Sequence, residues 1–213
     1  MDIKREGRQA GGLMLAGTGA SVMLMLHHPT SLRGPDDGLL LGDWSNAGVH
    51  GGMIVCLMAV GLGASTVPRR LGEGYLSVRA GRMLFTGGVA ALVVAALVNG
   101  FASGWLLERV EAPALRAVQF PVLAAVNQTF AVFGMALTAA AMALWAVRML
   151  RLDWLGKAAG VAGLGAGGLA LWWLAVGNGR FGLVPATVAT GVFAAWSVVT
   201  AAWLLRTPTE PAQ

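Results

Sequence analysis

Three histidines are the residues in this chain whose types and spacing offer chemistry. His27 and His28 stand together after one apolar run, and His50 stands just before the core of the next. Met23 lies four residues before His27, and Met53 three residues after His50, so on helices each pair shares a face. Imidazole ligates Zn, Cu and Fe, thioether adds a preference for Cu(I), and His/Met is an axial haem pair. Two antiparallel helices carrying these residues are expected to bring His27 and His50 together as ligands of haem b or a transition metal (Cu, Fe or Zn). His28 is the alternative partner, with Met23 and Met53 as thioether donors.

Other polar residues fall at the same level. Asn99 lies near the end of the third apolar run, Asn127 and Gln128 near the start of the fourth, and Asn178 after the fifth. Polar groups within membrane spans usually face the bundle interior or a cavity. Asn99, Asn127 and Gln128 are expected to orient a ligand ring through its second nitrogen. The competing description of these three is interhelical hydrogen bonding worth about 0.6 kcal/mol each. Competing with a histidine site are imidazoles bonded to water, headgroups or loop carbonyls, and methionines that merely fill helix interfaces.

The elements that must position these groups are apolar helices. Hydrophobic residues make up 56% of the 213 residues and charged residues 12%, about half of what a water-exposed surface carries. Six runs, near 9–28, 47–66, 83–103, 121–147, 157–177 and 182–205, are each long enough to cross a hydrocarbon core of about 30 Å. The fold expected is all-α: one polytopic transmembrane six-helix bundle, residues 1–213, in contact with the lipid bilayer. Short connections make consecutive helices antiparallel neighbours. The 104–120 segment, with Trp105, Leu106 and Leu107 among charges, reads as a short interfacial helix.

The net charge of +5 and the pI near 10.7 report orientation. With the N-terminus inside, the inner segments hold Lys4, Arg5, Arg8, Arg69, Arg70, Arg79, Arg82, Arg148, Arg151, Lys157 and Arg206. The outer segments hold Arg33, Arg109, Arg116 and Arg180. Eleven of fifteen basic residues inside is the positive-inside bias, so both termini are expected in the cytoplasm of a bacterial inner membrane. Nucleic acid is not an expected partner. The start MDIKREGR reads as the flank of an uncleaved first helix, because no small-residue cleavage site follows the apolar run.

Glycines at 163 and 167, flanked by Gly160 and Gly168, allow close helix approach, either within the chain or in a homo-oligomer. Trp172, Trp173 and Trp196 read as packing residues. Cys56 is the single cysteine, so no intrachain disulfide forms. No GxSxG, HExxH, Walker loop or CxxC is present, and no catalytic residue is assigned.

Four short pieces resemble a group of uncharacterised six-helix bacterial membrane proteins. They are Leu26-His27-His28-Pro29, Trp44 six residues before His50, Val98-Asn99-Gly100-Phe101, and Asn127. The resemblance covers the first four spans and implies a fold with a site on the outer side. It carries no activity. In that pattern an Asp often stands where this chain has Asn99, so an acidic role there is not transferred. Beside the haem or metal site stand two other functional classes: a non-catalytic accessory or assembly subunit of a membrane complex, and a lipid-processing enzyme or small-solute carrier with an outward-opening pocket.

Overall fold

The computed structural model describes residues 3–28, 44–176 and 183–206. These residues form eight α-helices: α1 (Ile3–Leu26), α2 (Asn46–Ala64), α3 (Val67–Leu71), α4 (Leu76–Leu97), α5 (Ser103–Arg109), α6 (Pro113–Met149), α7 (Trp154–Val176) and α8 (Leu183–Leu205). Six helical stretches, including α2 continued into α3 and α4 continued into α5, are long and apolar enough to cross a membrane. Each of the six expected spans corresponds to one of these helical stretches, the first ending at Leu26, and two stretches are longer than hydropathy alone indicates. The 104–120 segment divides between α5 and the first turns of α6, which passes through Pro121 without ending. Asn178, Arg33, Arg180 and the acidic residues of the 29–43 segment lie outside the described residues.

Local sequence explains the element ends. Ser45 caps α2 by accepting the Gly48 amide on its side chain, satisfying one otherwise unpaired donor of the first turn. Gly72 ends α3 with φ 95°, a left-handed conformation that favours glycine. Pro113 opens α6, where a missing N–H costs nothing. Between α4 and α5, residues Val98–Ala102 form a π-turn, in which the Ser103 amide reaches back to the Val98 carbonyl. Such turns insert an extra residue and redirect the side chains around it.

The long helices pack as a ring: α1 on α2, α2 on α4, α4 on α6, α6 on α7, α7 on α8, and α8 back on α1. Small residues set the close seams. A Cβ on Gly163 would stand 2.8 Å from the Met142 carbonyl oxygen, and one on Gly88 would stand 2.8 Å from that of Gly134. The α7 glycines at 163 and 167 therefore pack on α6 inside the chain, while Gly165 and Gly168 face open space. Large apolar residues remain exposed on the outside of the ring, among them Val55, Met58, Leu62, Met83 and Leu171. That is the surface lipid covers, and it matches the hydropathy of the helices.

One end of the ring carries the histidines; the other carries most of the arginines. The arginine end is tied together by polar contacts. Arg69 pairs with Glu6, Arg82 with Glu73 at 3.4 Å, and Arg206 with Asp153 at 3.5 Å. Arg70 donates to the Trp203 carbonyl at 2.7 Å and to the Arg206 carbonyl, and its guanidinium lies 4.7 Å from the Trp203 ring. It thus closes the last turn of α8, whose carbonyls have no helical partner. Toward the ring axis, Phe85, Trp145, Phe193 and Trp196 form one aromatic layer with neighbouring centroids 5.1–6.3 Å apart. Trp145 is anchored by its indole N–H to the Val78 carbonyl, and Gly81 supplies the space for the ring.

Candidate functional site

Beyond the aromatic layer, toward the histidine end, the ring is hollow. A cavity of about 570 Å³ is lined by residues of all six long helices. Its depth follows from the helix rise: Asn46 to Val60 on α2, and Asn127 to Met142 on α6, each span about 21–22 Å. Phe193 belongs both to the cavity wall and to the aromatic layer, so that layer forms the floor. Aliphatic residues such as Leu57, Val60, Leu92, Leu169 and Val192 dominate the deep part. Polar side chains gather near the mouth: His28, Asn46, His50, Asn99, Asn127 and Gln128.

His50 is the centre of this polar group and is 6% exposed. Its Nδ1 lies 2.9 Å from the Asn46 carbonyl oxygen, and its Nε2 lies 2.9 Å from Nδ2 of Asn99. A carbonyl can only accept, so Nδ1 carries the proton. The Asn99 Nδ2 that faces Nε2 can only donate, so Nε2 keeps its lone pair to accept and the ring is neutral. Asn46 in turn donates from Nδ2 to the Asn99 carbonyl at 2.8 Å. His50, Asn46 and Asn99 thus close a small hydrogen-bonded network between α2 and the π-turn.

The π-turn and Gly100 make this network possible. A Cβ on Gly100 would stand 2.4 Å from the Cβ of His50, so the two backbones approach as only glycine permits. The extra residue of the turn brings the Asn99 amide to His50 while Asn99 O meets Asn46.

The two adjacent histidines part company. His28 lines the cavity, with its ring edge-on to His50 at a centroid distance of 4.9 Å. His27 is not among the lining residues and stacks on Trp44 instead, at 4.2 Å and 9°. The Trp44 amide also donates to the His27 carbonyl at 3.3 Å. The methionines divide likewise. Met53 lines the cavity, whereas Met23 is 50% exposed and its place is taken by Met25. The pair expected to converge, His27 with His50, is replaced by His28 with His50. Asn127 and Gln128 reach the cavity with Asn99.

Several site residues escaped the sequence reading. Asn46 stands four residues before His50 on one helical face, a spacing that could have flagged it. Trp172 and Trp173, read as packing residues, line the cavity. Trp196, read in the same way, is fully buried in the aromatic layer. Among the described residues, no three His, Cys, Asp or Glu side chains gather as a metal-holding group.

Comparison with known proteins returns no match among family models, curated proteins or solved structures. The site therefore rests on its own geometry.

Proposed function

We propose that the protein is a membrane-embedded binding protein whose cavity takes a small amphipathic molecule, polar end toward His28, His50 and Asn99. The observation that carries this reading is the cavity itself. Its volume lies within the range of about 300–1,000 Å³ for small-molecule sites, and its walls are mostly apolar with a few convergent polar groups. Trp172 and Val188 line it yet remain 55% and 48% exposed, which places part of its side wall at the lipid-facing surface. A ligand that dissolves in the membrane suits that access better than a fully water-soluble one. This reading develops the class of lipid-processing or solute-carrying proteins with an outward-opening pocket.

The tautomer of His50 favours haem b or a transition metal as a second occupant. Its Nδ1–H is fixed on a backbone carbonyl, the arrangement that commonly presents Nε2 to a metal. His28 supplies a second imidazole, and Met25 and Met53 supply thioethers. Asn99 would have to yield its bond to Nε2. Among the described residues these two imidazoles have no third His, Cys, Asp or Glu beside them, a set that suits haem or copper better than the four protein ligands of structural zinc.

The eleven-to-four division of basic residues supports placing the histidine end outside and both termini in the cytoplasm of a bacterial inner membrane.

One purification tests both occupants. The protein is extracted in mild detergent, its visible spectrum recorded oxidised and reduced, its Fe, Cu and Zn measured, and its co-purifying small molecules identified by native mass spectrometry. A stoichiometric amphipathic molecule lost in His50→Ala supports the first reading. A Soret band or stoichiometric metal lost in the same variant supports the second. A protein with neither, whose tryptophan emission is unchanged by membrane-soluble quinones or fatty acids, overturns both and favours an accessory subunit.

A further inference from the structure

A second polar site lies on the other side of the aromatic floor, in the seam between α1 and α8. On these two helices, four buried side-chain atoms at or beyond the level of the floor have no hydrogen-bond partner among the described residues: Thr18 Oγ1, Trp196 Nε1, Ser197 Oγ and Thr200 Oγ1. All four residues are deeply buried, Thr18 at 3% exposure and the other three at 0%. Thr200 and Ser197 lie on the arginine side of Trp196 along α8, whereas Thr18 stands level with the floor.

The helix register brings them together. A Cβ on Gly7 would meet the Leu204 carbonyl oxygen at 2.9 Å, and one on Gly11 the Ala201 carbonyl oxygen at 2.8 Å. Continuing that antiparallel register, Thr18 stands level with Ala194 and within about 5 Å along the axis of Ser197. Gly7, Gly11 and Thr18 share one face of α1, and Ser197, Ala201 and Leu204 share one face of α8. Trp196 and Thr200, four residues apart, occupy the adjoining face toward the ring axis.

Six other hydroxyls in the bundle bond locally. Ser21, Ser65, Thr66, Thr129, Thr138 and Thr190 all donate to a carbonyl three or four residues back. Thr18, Ser197 and Thr200 do not use that local escape. A buried polar group without a partner is costly, and several in one place call for a shared partner that both accepts and donates. Indole N–H can only donate, so the partner must accept at Trp196, which excludes a bare cation. None of the four residues is charged, which disfavours an anion. Water meets both conditions and commonly fills such sites with two to four bonds.

We propose that the α1–α8 seam holds a buried water cluster bonded to Thr18, Trp196, Ser197 and Thr200. The aromatic layer then separates two polar compartments, the ligand cavity and this hydrated seam. Water-edited NMR of protein with ¹⁵N-labelled indoles, in nanodiscs, tests it. Trp145, whose N–H is held by the Val78 carbonyl, is the dry internal reference. Trp196→Phe assigns its resonance. The expected result is a water cross-peak at the Trp196 indole N–H, absent at Trp145, that weakens in Thr18→Val and Ser197→Ala. A Trp196 signal as dry as that of Trp145, or a cross-peak unchanged in both variants, overturns the proposal.

Discussion

Asn99 donates its side-chain amide to Nε2 of His50 at 2.9 Å, joining the π-turn after α4 to the first turns of α2. Because Nδ1 of the same ring is held by the Asn46 carbonyl, His50 is committed to one tautomer and one orientation. Removing Asn99 leaves a buried lone pair unpaired, while removing both partners leaves neither. Asn99→Leu is therefore expected to lower stability by about 1–3 kcal/mol. The double variant with His50→Leu should lose less than the two singles combined. A double-mutant cycle by thermal unfolding in detergent measures the difference, and strict additivity would show that the bond contributes nothing.

Gly100 tests how tightly that geometry is held. With a Cβ placed 2.4 Å from the Cβ of His50, Gly100→Ala must separate α2 from the π-turn. The expected cost is about 1–3 kcal/mol, the usual range for overpacking, together with weaker ligand retention. Gly104, four residues on, has open space where its Cβ would go, so Gly104→Ala should be silent. Thermal unfolding of the two variants side by side gives the comparison.

The glycines of α7 make a similar contrast. Gly163→Val would drive side-chain atoms into the Met142 backbone and should lower the Tm by several degrees. Gly165→Val points into open space and should leave the Tm of the monomer unchanged. If Gly165→Val instead alters the oligomeric state in light scattering, that outer face joins two copies.

At the arginine end, Arg70 holds two terminal carbonyls of the α8 segment and lies against Trp203. Arg70→Met should cost about 1.5–3 kcal/mol, as expected for bonds from a charged donor. Arg70→Lys should recover only part of this, because an ammonium cannot span two carbonyls and stack as a planar guanidinium does. Unfolding midpoints of the three proteins decide the order.

Orientation is open to chemical labelling. In a Cys56→Ala background, Trp44→Cys should react with an impermeant maleimide in intact cells. Arg79→Cys should react only after the membrane is opened. The reverse pattern would invert the orientation inferred from the basic residues.

The helices were legible because a span's length is set by membrane thickness and its apolarity by the lipid around it. Both leave continuous runs in the sequence, and the six spans follow from them. Their boundaries were less legible at α4 and α6. There the π-turn carries α4 on into α5, and α6 begins at Pro113, eight residues before the 121 at which hydropathy sets its start. The level of the polar site was readable too, since antiparallel connections fix which span ends meet.

By itself, then, the sequence determined an all-helical chain with six membrane-length helices and a polar group gathered at one end. Tertiary structure alone decided which side chains share the cavity. His27 and His28 follow the last residue of α1, Leu26, where helical geometry no longer fixes their directions. Met23 and Met25 point about 200° apart on the helix, so spacing alone does not say which of each pair turns inward. Packing against α2 and Trp44 made that choice. The approach of Gly100 to His50, and through it the bond from Asn99, likewise depends on two helices far apart in sequence, which no local pattern encodes.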